Sequence, residues 1–145
     1  MDETCPPSPA TVLLYAEDEE NDFFFLQYAL KKLSGQVSLL RACDGLEAKR
    51  MLGAPPAAPL AGILTDLRMP SCDGFELMSW LKTQPQFASL PVIALSTSRL
   101  ERDAERCLSL GVRNFFPKPN SPQGYLHLAQ LILQEIRPHA VIGTR

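Results

Sequence analysis

The chain has 145 residues and 16.0 kDa, which is the length of one domain and is long enough to bury an ordinary core. Its 46% hydrophobic and 21% charged residues are those of a soluble globular protein. The 14 basic and 16 acidic residues are interspersed and leave a formal charge of -2, so no basic stripe invites nucleic acid.

Unbroken apolar runs such as Val12 to Ala16 and Phe23 to Leu26 fall far short of the ~20 residues of a membrane span. The first residues, Met-Asp-Glu-Thr-Cys-Pro-Pro, are acidic where a signal peptide is basic, so no membrane association and a cytoplasmic location are expected. Cysteines at 5, 43, 72 and 107 form no CxxC pair and read as small buried or idle thiols, in keeping with a reducing compartment.

Residues 1–10 read as a loose leader carrying three prolines. Thr11 to Ala16 is then a nearly continuous apolar run, the pattern of a parallel strand covered on both faces. Glu20 to Leu33 has helical spacing, with Gly35 beyond it at the place of a left-handed C-cap. Val37 to Arg41 is the next strand and Gly45 to Leu52 the next helix, followed by a proline-rich insertion from Ala54 to Leu60. Ala61 to Thr65, Val92 to Leu95 and Arg113 to Phe116 are the remaining strands, with helices over Phe75 to Lys82, Leu100 to Leu110 and Pro122 to Ile136. Gly111 again stands at a C-cap position, and residues 138–145 read as a short tail.

Strands alternating with helices at these lengths imply right-handed crossovers and a doubly wound five-stranded parallel sheet with helices on both faces. In such α/β folds the working site lies outside the carboxyl ends of the strands, near the switch in strand order. The residues predicted there are Glu17-Asp18 after the first strand, Asp66 after the third, Ser96-Thr97 after the fourth and Lys118-Pro119 after the fifth. Taken alone, Glu17-Asp18 reads as a helix cap and Asp66 as a turn former ahead of Pro70 and Gly74. Converged, three carboxylates at ~4 to 5 Å repel by about 3 to 4 kcal/mol per pair at an effective dielectric near 20, a cost that implies a cation. Hard oxygen ligands with open positions suit Mg2+. With the Lys118 ammonium and the Ser96 hydroxyl across the same pocket, the set describes a phosphoryl site.

The words VLLYAEDEEND (12–22), GILTDLRMPSCDGFEL (62–77), PVIALSTS (91–98) and FFPKP (115–119) resemble, in order and spacing, the receiver domains of two-component response regulators. The resemblance covers residues 11–137 and implies a flavodoxin-like receiver fold. It implies Asp66 as phosphoacceptor, with Mg2+ held by Glu17, Asp18, Asp66 and the backbone carbonyl of Arg68. Ser96 and Lys118 take the places of the hydroxyl that follows the phosphoryl group and of the family's lysine. The aromatic that turns inward on switching is then Phe115, and Arg68 and Ser98 hold the positions that tune hydrolysis. Arg68 is alternatively free to pair with a nearby carboxylate at rest, and the Lys118-Pro119 bond is expected cis.

The implied partner is a sensor histidine kinase or histidine phosphotransfer domain. Its usual docking helix here opens on Phe23-Phe24-Phe25, of which at least one must face the core and one should be exposed or half-exposed, unless flanking loops cover it. Receivers also often form homodimers through the last strand and helix. LPVIALSTSR and the Ala54 to Leu60 insertion look most like stand-alone receivers associated with phytochrome-type and hybrid kinases. On length, a receiver switch without an attached output domain is expected.

A receiver-like scaffold that takes no phosphate is the main alternative, and the retained Asp66, Asp18, Ser96 and Lys118 argue against it. An aspartate-nucleophile phosphatase of the haloacid dehalogenase kind would want a second Asp where Arg68 stands. A flavin-binding module would find its phosphate repelled by Glu17 to Glu20.

Overall fold

The structure, a computed structural model, describes residues 11–54, 60–97 and 100–136. The expected leader and tail, most of the proline-rich insertion, and Ser98 lie outside these residues. The elements follow in strict alternation. They are β1 (Thr11–Ala16), α1 (Glu20–Leu33), β2 (Val37–Ala42), α2 (Gly45–Leu52), β3 (Leu60–Thr65), α3 (Gly74–Lys82), β4 (Val92–Ser96), α4 (Glu101–Ser109), β5 (Asn114–Pro117) and α5 (Pro122–Ile136). A single 3-10 turn, Pro85–Phe87, precedes β4.

All strands pair in parallel in the order β2-β1-β3-β4-β5. The order reverses at β1 and β3, which places the switch point between the strands that end in Glu17 and Asp66. Alternation along the strands divides the core. Leu13, Tyr15, Leu64, Ile93 and Leu95 face α1 and α5, whose Phe23, Leu26, Leu30, Leu128 and Ile132 cover them. Leu14, Ala16 and Ile63 face the other way with Ala48, Leu77 and Leu81 of α2 and α3. Ala94 meets Phe75, Met78, Cys107 and Val112 on the same side.

Local chemistry decides where the helices start. Asp44 caps α2 through the Glu47 N–H at 2.8 Å. Asp73 and Glu76 form a reciprocal capping box at 2.9 Å each way, which extends α3 back to Gly74. By contrast α1 starts from Glu19, whose side chain caps nothing, so Glu17-Asp18 is not spent on helix initiation. Gly111 ends α4 with φ 92°, as its C-cap position predicts, and burial pushes the Cys107 thiol nearby up to about 11.

Two backbone expectations are corrected. Gly35 has no positive φ, because α1 closes on extended Ser34 (φ -156°), whose N–H reaches the Leu30 carbonyl. The Lys118-Pro119 bond is trans, the form that an X-Pro bond prefers by about 0.5–1 kcal/mol.

Candidate functional site

Three loops meet at the carboxyl edge of the sheet. Beyond β1, the Glu17 N–H bonds to Ala42 O at 2.9 Å, and beyond β3 the Asp66 N–H bonds to Ala16 O at 3.0 Å. Both residues are thus held by continuations of the strand ladders. Arg41 on β2, in register with Tyr15, donates from Nε to Glu17 O and from Nη2 to Asp18 O, each at 3.0 Å. Its guanidinium fixes the backbone of the acidic pair and leaves both carboxylates for the pocket.

Asp66 leads into a tight loop. Leu67 N–H donates to Asp66 Oδ1 at 2.7 Å, Thr65 Oγ1 donates to Asp66 O at 2.8 Å, and Gly74 N–H donates to Leu67 O at 3.0 Å. Cys72 N–H turns back to Pro70 O at 2.7 Å across Ser71, whose φ is 69°. A Cβ at Gly74 would collide with the Asp66 carbonyl oxygen and lie 2.9 Å from Leu67 Cα, so glycine is required where the loop closes under the aspartate. The Pro70 and Gly74 turn chemistry therefore exists, and what it does is aim Asp66.

Side chains of Glu17, Asp18 and Asp66 each bring a carboxylate oxygen to within 4.8 Å of the others. Glu17 is 0% exposed and Asp66 8%. Lys118 enters from the end of β5, its backbone N–H on Ser96 O at 2.9 Å. Its Nζ lies 2.7 Å from Glu17 Oε1, 2.9 Å from Asp22 Oδ2 and 3.0 Å from Asp66 Oδ2. Burial alone depresses the Lys118 ammonium, but hydrogen bonds to Glu17 and Asp22 and the Asp66 charge outweigh it and raise its pKa. Burial raises the Glu17 carboxyl above its usual range, with Lys118 opposing and Asp66 adding to the rise. Ser96 is buried (2%) at the end of the neighbouring strand.

The expected site residues Glu17, Asp18, Asp66, Ser96 and Lys118 therefore come from three adjacent strand ends and the loop after β5 to one edge of the sheet. Arg68 leaves the loop after β3 toward α4, where its Nη2 pairs with Asp103 Oδ2 at 2.8 Å. It also lies 5.4 Å from the Phe75 ring centre, which Arg106 approaches to 4.1 Å. The side chain thus pairs with a carboxylate, as one of the expectations for it had it. Phe115 is half-buried and packs on the cluster of Leu67, Phe75, Ala94 and Cys107.

Sequence reasoning missed Asp22, Tyr15, Arg41 and Asp103. Asp22 was marked only by its place in the first turn of a helix that begins in an acidic run. Tyr15 stands two residues before Glu17, which continues β1 by one residue, a spacing that puts both side chains on one face. Nothing in the sequence marks Arg41 or Asp103.

Along α1, Phe23 is buried and packs on Tyr15, whereas Phe24 and Phe25 are 48% and 54% exposed, as the helical turn requires. Phe25 lies against Tyr125 with ring centres 5.4 Å apart. Together with Tyr28, Pro122 and Leu126 these two rings line a groove of about 760 Å3 between α1 and α5, and Asp22 closes its end toward Lys118. Among the described residues no helix is long and apolar enough to cross a membrane.

The receiver fold has solved counterparts. The phosphorylated cyanobacterial phytochrome response regulator RcpA superposes with a TM-score of 0.78 at 26% identity, covering 86% of this chain and 92% of that one. Response regulator Rcp1 of Synechocystis sp. is 31% identical over 133 residues, 89% of this chain and 88% of Rcp1, and the Mn2+-bound form of a response regulator Rcp1 superposes with a TM-score of 0.74 at 29% identity, covering 85% of this chain and 91% of that one. The sensor histidine kinase CheAY of Helicobacter pylori is 32% identical over 110 residues, which are 76% of this chain and only 13% of CheAY. Residues 13–130 match the family described as the response regulator receiver domain. The chain belongs to the response regulator receiver family, whose members act as phosphoacceptor switches, and its acidic cluster of Glu17, Asp18 and Asp66 fits a receiver metal site.

Proposed function

We propose that this receiver takes a phosphoryl group from the phosphohistidine of a sensor histidine kinase or phosphotransfer domain onto Asp66, with Mg2+ bound beside it, and thereby switches a protein-binding surface. The observation that supports it most is the convergence of three carboxylates within 4.8 Å beside a buried lysine that touches two of them. Such an arrangement is costly for a mere scaffold and suits a site that gains and loses a dianion.

The donor set is made of hard oxygens, which fits a divalent cation held by Glu17, Asp18, Asp66 and the Arg68 carbonyl. When bound, Mg2+ supplies positive charge against the phosphoryl oxygens. The chain's own residues do the rest. The Leu67 N–H on Oδ1 fixes the Asp66 carboxylate, which attacks phosphorus as the P–N bond to imidazole breaks. The imidazole keeps the bonding electron pair and takes a proton from water. Lys118 Nζ, 3.0 Å from Asp66 Oδ2, is in place to neutralise the arriving oxygens. Ser96, buried at the end of β4, is the hydroxyl that follows the phosphoryl group, and Phe115 carries the change to the α4-β5-α5 face by packing. Arg68 and Ser98 tune hydrolysis of the acyl phosphate.

The groove between α1 and α5 receives the helical histidine domain. It is continuous with the site through Asp22, which lines the groove and hydrogen-bonds Lys118 at 2.9 Å. Phe25→Ala is expected to slow phosphotransfer from a cognate kinase about 10-fold or more while leaving labelling by acetyl phosphate unchanged, since only the protein donor needs the groove. Equal loss with both donors would place Phe25 in the fold and not in docking.

Labelling with radioactive acetyl phosphate tests the whole reading. Uptake that requires Mg2+ and stops with EDTA is expected. A folded wild-type chain that takes up no phosphate with metal present sinks the proposal in favour of the unphosphorylated scaffold.

A further inference from the structure

Glu17 reaches into the metal cluster with a side chain one methylene longer than an aspartate, and a longer reach carries more rotamer freedom to be removed. The structure shows what removes it. Tyr15, 1% exposed, donates its hydroxyl to Glu17 Oε1 at 2.8 Å. Its ring is held from the side by Phe23, with centres 6.0 Å apart. The other carboxylate oxygen, Oε2, accepts the Glu19 N–H at 3.0 Å.

Lys118 also contacts Oε1, at 2.7 Å, but its Nζ is shared with Asp22 and Asp66. Whatever Asp66 gains or loses changes the pull on that ammonium. The phenol has no such divided role, because a Tyr hydroxyl has one proton and it is given to Glu17. The position is otherwise an aliphatic one, preceded on the strand by Val12, Leu13 and Leu14, all buried.

We infer that Tyr15 is a positioning residue of the divalent-cation site: its hydroxyl locks the Glu17 carboxylate in the orientation that offers a remaining lone pair to the ion. The inference rests on reading the Glu17, Asp18 and Asp66 cluster as that site. Hydrogen-bond partners behind a metal ligand fix its orientation, and removing one costs typically 10–100-fold in affinity.

The test is a Mg2+ titration followed by amide chemical shifts of the Asp66 to Gly74 loop, which reports binding and not phosphorylation. Tyr15→Phe keeps the ring and its packing and is expected to weaken Mg2+ about 10–100-fold. In a Glu17→Asp background, where the shorter carboxylate is withdrawn from the phenol, Tyr15→Phe is expected to change nothing further. An unchanged dissociation constant for Tyr15→Phe overturns the inference. So does an equal loss in both backgrounds, which would mean that the hydroxyl acts by a route that does not pass through Glu17. The unmodified chain gives a second readout: the buried Tyr15 hydroxyl proton resonance should shift as Mg2+ saturates, and an unmoved resonance overturns the inference as well. Absence of any saturable Mg2+ binding in the wild type would instead bring down the site reading itself, and the inference with it.

Discussion

Asp66→Asn is expected to reduce phosphoryl labelling by acetyl phosphate to background while the domain stays folded. The amide keeps the shape of the carboxylate and can still accept the Leu67 N–H bond, which spans 2.7 Å in the wild type, so the loop after β3 keeps its course. What disappears is the nucleophilic oxygen. Divalent cation binding should weaken too, because one of the three clustered carboxylates becomes neutral. Stabilisation by a bound ligand is about 2.7 kcal/mol at a concentration 100 times its dissociation constant. Thermal denaturation with and without Mg2+ should therefore show a clear upward shift for the wild type and a much smaller one for Asp66→Asn. Labelling equal to wild type would remove Asp66 from its role and direct attention to another acceptor.

Lys118→Met has the opposite character, with its largest effect on the metal-free fold. Lys118 is the cation on Glu17, which is wholly buried, and on Asp66. Breaking a buried pair from one side typically costs 3–5 kcal/mol, because the remaining charge is left uncompensated. Urea unfolding in EDTA at neutral pH should show a loss of that order, and Mg2+ should recover part of it by restoring positive charge.

The pH dependence follows from the direction of the Glu17 shift. Burial already holds its carboxyl above the unfolded value, and loss of the opposing ammonium raises it further. A carboxyl raised in the folded state binds its proton more tightly there than in the unfolded chain, so stability is recovered as pH falls through the folded pKa and lost as it rises. The deficit of Lys118→Met should accordingly shrink at mildly acidic pH. A deficit that is constant or grows toward low pH would show that Glu17 is not the group left unpaired.

These two variants separate chemistry from support, and the same separation describes what could be read before folding. The parallel strands were legible because β1, β3 and β4 are nearly continuous apolar runs, which only burial on both faces explains. Once their order implied a doubly wound sheet, Glu17, Asp18, Asp66, Ser96 and Lys118 fell at its carboxyl edge by arithmetic. Capping moved one helix boundary: the Asp73-Glu76 box started α3 at Gly74, one residue before its apolar pattern begins.

What the chain alone determined, then, is the sequence of elements and which reactive groups stand at their ends, because both depend on short-range periodicity and connection length. Tertiary structure alone decided the partners. Lys118 meets Asp22 across 96 residues, and Arg68 meets Asp103 across 35. Such contacts depend on strand register and on the rotation of each helix against the sheet, quantities that a pattern of apolar residues leaves free by several ångströms. A hydrogen bond tolerates only a few tenths of an ångström. For that reason the groove between α1 and α5, the Arg41 clamp on the acidic pair and the Tyr15 bond to Glu17 became visible only when the sheet and its helices were assembled.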